Sequence, residues 1–187
     1  MRRIVVVDYD PAWPSVFEHL RANAWAVVHD FALAIEHIGS TSVPGLAAKP
    51  IIDMSVIVRS TEDAALGIER LATLGYVHRG NLGVEGREAF QSPEQLPAHH
   101  LYLCPTGSLG LIGPLALRDY LRTHPDVAGA YGNLKKALAL EFHDDIGSYL
   151  DGKTDLILGI LRQVGFSRDQ LDTIEKINRK SQPGGTS

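Results

Sequence analysis

The stretch that decides the fold is residues 37–55, HIGSTSVPGLAAKPIIDMS. It combines a Gly-Ser turn, a connection broken by proline and glycine, and an apolar strand that carries one acid, Asp53. Gly39 permits a positive φ or a close approach of the backbone, and residues 40–42 place three hydroxyls beside backbone N–H groups, as a phosphate-binding loop requires. A carboxylate near such a loop is the usual means of placing a divalent metal on a nucleotide. The stretch therefore predicts a phosphate site with Asp53 as the metal ligand.

Simpler interpretations of the same residues stay open. Plain loops between apolar runs have a similar composition, and Asp53 could be a capping or ion-paired residue. His37, just before the turn, is either a phosphate contact or a structural histidine. Lys49, just before the second strand, lies close enough along the chain to meet a phosphate or to pair with Asp53, and the alternative is a solvated lysine.

A second stretch with candidate functional residues is the strand predicted over residues 98–104, AHHLYLC. Alternation places His100 and Tyr102 on one face and His99 on the other. We predict that one of the two histidines points toward Asp53 and favour His100. Such an Asp–His pair would act as a general base, activate water or complete a one-metal site, whereas the spacing does not support a zinc site.

Hydrophobic periodicity and turn residues predict the remaining elements. The predicted strands cover residues 3–8, 33–38, 51–58 and 98–104, with two more between 76 and 90, and the predicted helices cover a segment from residues 10 or 11 to about 31, then 61–74, 115–123, about 125–142, 145–163 and 168–180. The nearly continuous apolar run at 51–58 is typical of a central strand that is covered on both faces. The overall prediction is an α/β (α+β) fold with a mixed sheet and a C-terminal helical segment.

Composition sets the class of protein. The chain has 187 residues, 44% of them apolar and 21% charged, which predicts one globular domain over residues 1–180 followed by a disordered tail at 181–187. A net charge of −4 gives no reason to expect nucleic acid as a partner. A single cysteine, Cys104, and the lack of a long apolar run at the N-terminus predict a cytoplasmic protein without a membrane span.

The sequence resembles the GrpB family, an uncharacterised group with a nucleotidyltransferase-like fold related to the polymerase-beta superfamily. The resemblance rests on HIGSTSVPGLAAKP-IID and on four further blocks in the same order, namely DYDPAWPSVF, LGY-HRGNLGVEGREAF, HHLYL and LALRDYLRTHPDVAGAYGNLKKALA. The superfamily signature is an apolar-Gly-Ser turn followed, about a dozen residues later, by a strand with Asp-x-Asp or Asp-x-Glu. Gly39-Ser40 and Asp53 match that spacing.

The chain departs from this signature at the second acid. Residues two apart on a strand share a face, so a carboxylate at position 55 would complete a two-metal clamp with Asp53. Position 55 is Ser55, and residues 98–104 contain no acid that would serve as the third. The resemblance therefore supports the fold more than the activity.

The resemblance also adds basic residues to the predicted site. Arg87 matches a Gly-Arg block, Arg118 an RDYLR block and Lys135 a Leu-Lys pair. From the residues alone, Arg87 could equally pair with Glu85 or Glu88, and Arg118 could line a wet surface beside Asp119. The complete set of predicted ligand-binding residues is His37, Gly39, Ser40, Thr41, Ser42, Lys49, Arg87, His99, Arg118 and Lys135, and the predicted catalytic residues are Asp53 and His100.

Two functions from different classes follow. The first is a nucleotidyltransferase-like protein that binds a nucleotide or another phosphate-bearing small molecule, with one Mg²⁺ on Asp53. The alternative is a catalytically inactive ligand-binding or helper module, for example one linked to coenzyme A metabolism, and Ser55 favours this alternative. The oligomeric state is left open by the sequence.

Overall fold

A computed structural model describes residues 3–180 of the chain, so the predicted tail at 181–187 lies outside the described residues. The helices in this range are α1 (Trp13–Val28), α2 (Thr61–Ala72), α3 (Leu109–Thr123), α4 (Pro125–Glu141), α5 (Ile146–Gln163) and α6 (Arg168–Lys180). The strands are β1 (Ala34–Ile38), β2 (Ile52–Val58), β3 (Val77–His78), β4 (Glu88–Gln91) and β5 (His99–Pro105).

The five strands form one mixed sheet in the order β1-β2-β5-β4-β3. Strand β2 is antiparallel to β1 and parallel to β5, and β4 is antiparallel to both β5 and β3. Strand β2 is hydrogen-bonded on both sides, as its continuous apolar sequence predicts. The predicted mixed α/β fold is confirmed.

The chain divides into two compact units. The sheet unit consists of Asp10–Ser42 and Ile51–Leu115 and contains all five strands, α1 and α2. The helical unit consists of Val43–Pro50 and the described parts of Met1–Tyr9 and Ala116–Ser187, and contains α4, α5 and α6. The boundary falls within α3.

The sheet of the sheet unit has two chemically different faces. Met54 pairs with Leu101 and Val56 with Leu103, and all four side chains are fully buried. Helix α2 packs on this face, which we call the helix-covered face, and Gly67 brings the helix backbone against Leu103. Because side chains alternate along a strand, the intervening residues of β2 and β5 face the other way. We call that second face, which carries the polar residues, the polar face.

The helical unit has its own apolar core. The core side chains come from the 43–50 connection and from three helices, and they are Val43, Leu46, Leu121, Ala128, Tyr131 and Ile160. The strand predicted at residues 3–8 is wrong, because only Val7 pairs, through an isolated bridge with Ala48. Nearby, the Ile4 amide donates to the carbonyl of His143, so this segment has no strand partner along its length.

Two helix starts also differ from prediction. Helix α1 starts at Trp13, and Asp10 accepts a hydrogen bond from the Ala12 amide without itself occupying the N-cap position. Helix α3 starts at Leu109, six residues earlier than predicted, and therefore contains Pro114. One proline removes a single amide donor and does not end this helix. No helix among the described residues combines the length and the apolar character needed to span a membrane.

Gly67→Ala tests the packing of α2 on the sheet. A Cβ at this position would overlap Leu103 Cδ1 and lie 3.5 Å from Phe31 Cε2. We expect a loss of about 1 to 3 kcal/mol in the free energy of unfolding, measured by urea denaturation, because Leu103 is fully buried and cannot move aside without strain.

The matched control is Gly129→Ala in α4, where a Cβ would meet no atom within 4 Å. It should stabilise the protein by about 0.5 to 1 kcal/mol through helix propensity alone. Equal effects at the two glycines would show that the α2–sheet contact is not tight.

Candidate functional site

The candidate site is centred on Asp53, which lies on β2 opposite Ile38, the last residue of β1. The next residue, Gly39, has a φ of +69°. A Cβ on Gly39 would lie 2.9 Å from both Cβ and Cγ of Asp53 and would overlap Oδ2. Only glycine therefore allows this turn and the Asp53 carboxylate to lie together.

His100 is the residue that contacts Asp53. The two residues pair directly between β2 and β5, and His100 Nδ1 lies 2.7 Å from Asp53 Oδ1. An ionised carboxylate only accepts hydrogen bonds, so Nδ1 is the donor, and in the neutral form of the ring Nε2 is the accepting nitrogen. The side chains of His100 and Asp53 are 48% and 28% exposed, so both are accessible to solvent.

The three hydroxyls of the turn are not equivalent. Residues Ser40–Ser42 form a short 3₁₀ helix in which Ser42 Oγ donates to the Gly39 carbonyl at 2.6 Å. Thr41 Oγ1 donates to the Ile51 carbonyl at 3.4 Å and lies 3.0 Å from His37 Nε2, which must then be the donor. Ser40 is partly exposed and has no side-chain hydrogen bond within the described residues. Among the three, the Ser40 hydroxyl is thus the one that is not used to build the turn.

His37 lies on the helix-covered face, since it pairs with Met54 while its neighbour Ile38 pairs with Asp53. Its ring stacks on Phe17 of α1 with centroids 4.5 Å apart, and it is only 8% exposed. With its bond to Thr41, this arrangement means that His37 supports the turn from the side opposite Asp53.

His99 also lies on the helix-covered face and is 5% exposed. Its Nδ1 donates to the Pro97 carbonyl at 2.7 Å, so its Nε2 accepts from the Tyr76 hydroxyl at 2.7 Å. Burial lowers the pKa of His99, the bond to Pro97 opposes this shift, and the charge that His100 carries when protonated adds to it. Both ring nitrogens are engaged within the protein, and the structure does not bring His99 together with Asp53.

Position 55, which holds a second acid in the superfamily signature, carries a fully buried serine. Ser55 lies on the polar face between Glu36 of β1 and Tyr102 of β5, its two strand partners. Within the described range, no three His, Cys, Asp or Glu side chains converge into a metal-binding group. Glu36 shares this face with Asp53, and the sequence analysis missed it because the register of β1 against β2 was not known.

Arg87 reaches the same face from the segment before β4. Its guanidinium carbon lies 4.7 Å above the Tyr102 ring, and Nη2 donates to the Asn81 carbonyl at 3.3 Å. The alternative ion pair with Glu88 is not formed, because Glu88 contacts His78 Nε2 at 2.6 Å. Burial, with the charge of Asp53, raises the pKa of Tyr102. Tyr102 is thus a further residue of this face, and the alternation of β5 was the signal for it.

The remaining predicted residues belong to the helical unit. Each basic group contacts an aromatic ring or an acid of that unit. These contacts are Lys49 Nζ over Tyr149 at 5.7 Å, Lys135 Nζ over Tyr131 at 4.5 Å and Arg118 Nε on Asp119 Oδ1 at 2.7 Å. Lys135 is 2% exposed. A role of the three residues in ligand binding stays a prediction.

Gly39→Ala tests the contact between the turn and Asp53. The substitution forces a left-handed conformation on alanine and pushes its Cβ into the carboxylate, so we expect a loss of about 2 to 5 kcal/mol in the free energy of unfolding. The control is Gly107→Ala, which has a similar φ of +77° but no atom within 4 Å of a Cβ, and should lose only about 1 to 2 kcal/mol.

A double-mutant cycle with Asp53→Ala isolates the contact. In the Asp53→Ala background, Gly39→Ala should lower the free energy of unfolding by no more than Gly107→Ala does. If Gly39→Ala lowers the free energy of unfolding equally with and without the Asp53 carboxylate, this geometry is contradicted.

The neutral state of His99 predicts a pH dependence of stability. Its folded pKa lies below the ordinary 6.5, so the unfolded chain binds the proton first as the pH falls. The stability is fully present above pH 6.5 and declines as the pH falls from there through the lowered pKa, by up to about 1.4 kcal/mol per pH unit.

His99→Gln should flatten this decline in urea unfolding measured between pH 7 and pH 5. The exposed His19→Gln variant should keep the slope of the wild type. If His99→Gln and the wild type have the same slope, His99 does not resist protonation in the folded protein.

The chain is similar to known proteins in sequence and in fold. A sequence model described as GrpB protein matches residues 3–163. The UPF0157 protein YqkA of Bacillus subtilis is 38% identical over 156 residues, which cover 83% of this chain and 46% of that protein, so the chain spans about half of this relative. A dephospho-CoA kinase of Mycolicibacterium paratuberculosis is 24% identical over 170 residues, covering 78% of the chain and 42% of the kinase.

The fold of the chain is also similar to that of solved structures. The crystal structure of conserved protein GrpB from Enterococcus faecalis matches with a TM-score of 0.76 and 35% identity, over 92% of this chain and 98% of that one. The Cid1 poly(U) polymerase matches with a TM-score of 0.52 and 15% identity, over 72% of this chain and 44% of the polymerase, which is a likeness of fold alone. The chain therefore belongs to the GrpB family, and its fold is nucleotidyltransferase-like.

Proposed function

We propose that the chain binds a nucleotide or another phosphate-bearing small molecule at the Asp53 edge of its sheet. The observation that carries this proposal is the position of the Asp53 carboxylate, which lies against Gly39 and accepts a hydrogen bond from His100. The Ser40 hydroxyl belongs to the residue that follows Gly39. The Cid1 poly(U) polymerase, which has a similar fold, was solved with MgGTP bound. A turn with exposed polar groups beside a single acid suits phosphate oxygens better than an apolar ligand.

The residues fit one Mg²⁺ that arrives with a nucleotide. Magnesium is commonly bound by one or two carboxylates together with substrate phosphates and waters, and Asp53 would supply the carboxylate. When bound, the ion would neutralise part of the phosphate charge. A two-metal site does not fit, because position 55 offers a buried neutral hydroxyl.

If the protein transfers a group, that group is a nucleotidyl unit: an acceptor hydroxyl attacks the α-phosphorus of a nucleoside triphosphate, pyrophosphate leaves, and His100 takes the hydroxyl proton. Asp53 fixes the proton of His100 on Nδ1, which leaves Nε2 to accept a proton from an acceptor hydroxyl or from water. The side chain of His100 is 48% exposed, so an acceptor can reach it. Asp53 would then orient the base as well as hold the ion.

The second candidate is a ligand-binding or helper module without turnover. Ser55 favours it, because a fully buried serine cannot replace the charge of a metal-binding acid. The relatives named dephospho-CoA kinase point to a link with coenzyme A metabolism. Both candidates share the same pocket and differ only in turnover.

The proposal predicts Mg²⁺-dependent nucleotide binding that requires Asp53. In a thermal-shift screen of ATP, GTP, CTP, UTP and dephospho-CoA, a ligand at about a hundred times its dissociation constant adds about 2.7 kcal/mol, or roughly 5 to 10 °C. We expect such a shift for the wild type with Mg²⁺ and its loss in Asp53→Asn, because the amide cannot supply the negative charge.

The matched control is Glu69→Gln, which removes one exposed carboxylate from α2 and should leave the shift intact. A shift that survives Asp53→Asn would place the ligand elsewhere, and a screen without any shift in the wild type would refute nucleotide binding. For a ligand that binds, radiolabelled transfer assays with wild type and His100→Ala then separate the enzyme from the helper module.

A further inference from the structure

Three polar atoms of the sheet unit are buried without a nitrogen or oxygen atom as a hydrogen-bond partner, namely Ser55 Oγ, Ser108 Oγ and Arg87 Nε. They are not scattered through the unit. Both serine hydroxyls neighbour the Cys104 thiol, whose pKa burial raises to about 11 and these hydroxyls moderate. A thiol is only a weak hydrogen-bonding partner, so it does not satisfy the two hydroxyls. Buried polar groups that lack strong partners are rare, so the two hydroxyls beside Cys104 and the nearby Arg87 Nε call for an explanation.

Tight backbone contacts hold these groups in place. Gly86 lies against Ser108, where a Cβ would come within 2.6 Å of the serine Cβ, and Gly110 of α3 lies against Arg87, where the corresponding distance is 3.0 Å. The Arg87 guanidinium carbon lies over the ring of Tyr102, the strand partner of Ser55. The three groups are therefore fixed parts of one polar cluster and not mobile surface side chains.

The chemistry of the cluster favours an anion. Arg87 Nε–H is a charged donor, and both hydroxyls donate readily, while no carboxylate forms an ion pair with Arg87 in the part of the chain that the structure describes. Three donors suit the three free oxygens of a phosphoryl group better than the two oxygens of a planar carboxylate.

We propose that Arg87, Ser55 and Ser108 form a subsite for a phosphoryl oxyanion on the polar face of the sheet. Ser55 is two residues from Asp53 along β2, a distance of about 6.6 Å, so the subsite is separate from the Asp53–His100 pair. If the ligand is a nucleotide, the inference rests on the proposed function, and the subsite binds the phosphate of that nucleotide that is farther from Asp53. Binding of an inorganic oxyanion by the subsite stands independently.

The test uses inorganic phosphate alone, with acetate as the planar anion. At phosphate concentrations ten times the dissociation constant, the melting temperature of the wild type should rise by about 3 to 6 °C, and acetate should produce no comparable shift. Arg87→Gln, Ser55→Ala and Ser108→Ala should each lose most of the phosphate shift. Arg79→Gln, an exposed arginine on the neighbouring segment, should retain it.

Stability in phosphate-free buffer provides the second measurement. Ser55→Ala and Ser108→Ala each remove a buried hydroxyl that lacks a strong partner. We expect the melting temperature of both variants to be unchanged or higher. Ser92→Ala, which removes a hydroxyl that donates to the His99 carbonyl at 2.8 Å, should lower it. If both cluster variants are destabilised and phosphate has no effect on the wild type, the cluster holds an internal water and the proposal is wrong.

Asp53→Asn distinguishes this inference from the proposed function. The variant should lose Mg²⁺–nucleotide binding and keep the shift with inorganic phosphate. A phosphate shift that disappears in Asp53→Asn, or one that persists in Arg87→Gln, would overturn the subsite whatever the nucleotide screen shows.

Discussion

The absence of a side chain at Gly39 is the constraint on which the candidate site depends. Strand β1 ends one residue earlier, and its last residue pairs with Asp53, so the turn passes directly over the carboxylate. The positive φ of Gly39 and the short distance to Asp53 both exclude other residues. Asp53 itself is on a strand that is hydrogen-bonded on both sides. The turn and the acid are therefore positioned by an interior strand of the sheet.

Because side chains alternate along a strand, the histidines of β1 and β5 lie on two different faces of the sheet. His37 and His99 face the helices, where stacking and hydrogen bonds keep them buried, whereas Asp53 and His100 meet on the polar face. A shift of one residue in the register of β5 would exchange His99 and His100. The buried contacts of His99 thus help to fix the register that brings His100 to Asp53, which couples the stability of the fold to the geometry of the site.

Much of this architecture could be predicted from the sequence, and the failures have physical causes. The apolar run at 51–58 indicated a central strand because both of its faces need cover, and the Gly-Ser turn indicated that Gly39 and Asp53 would lie together. Residues 3–8 have strand character but lack a neighbouring strand, and pairing partners cannot be read from one segment. The same limit hid Glu36, whose relation to Ser55 depends on the register between β1 and β2. Local sequence patterns were enough to predict most helices and strands. Which side chains meet depends on the pairing between strands, which a local pattern does not show.

Ser55 shows how the chemistry of this face differs from that of a two-metal site. A second carboxylate would make position 55 anionic and suited to a cation, whereas Ser55 is neutral and lies between Glu36 and Tyr102, and the Arg87 guanidinium lies over the Tyr102 ring. A guanidinium holds phosphate oxygens by charge and fork geometry, yet it cannot generate a metal-bound hydroxide. In the proposed site, Arg87 would therefore bind phosphate oxygens without a second metal ion. On this proposal, any proton transfer depends on the Asp53–His100 pair, in which Asp53 holds the proton of His100 on Nδ1.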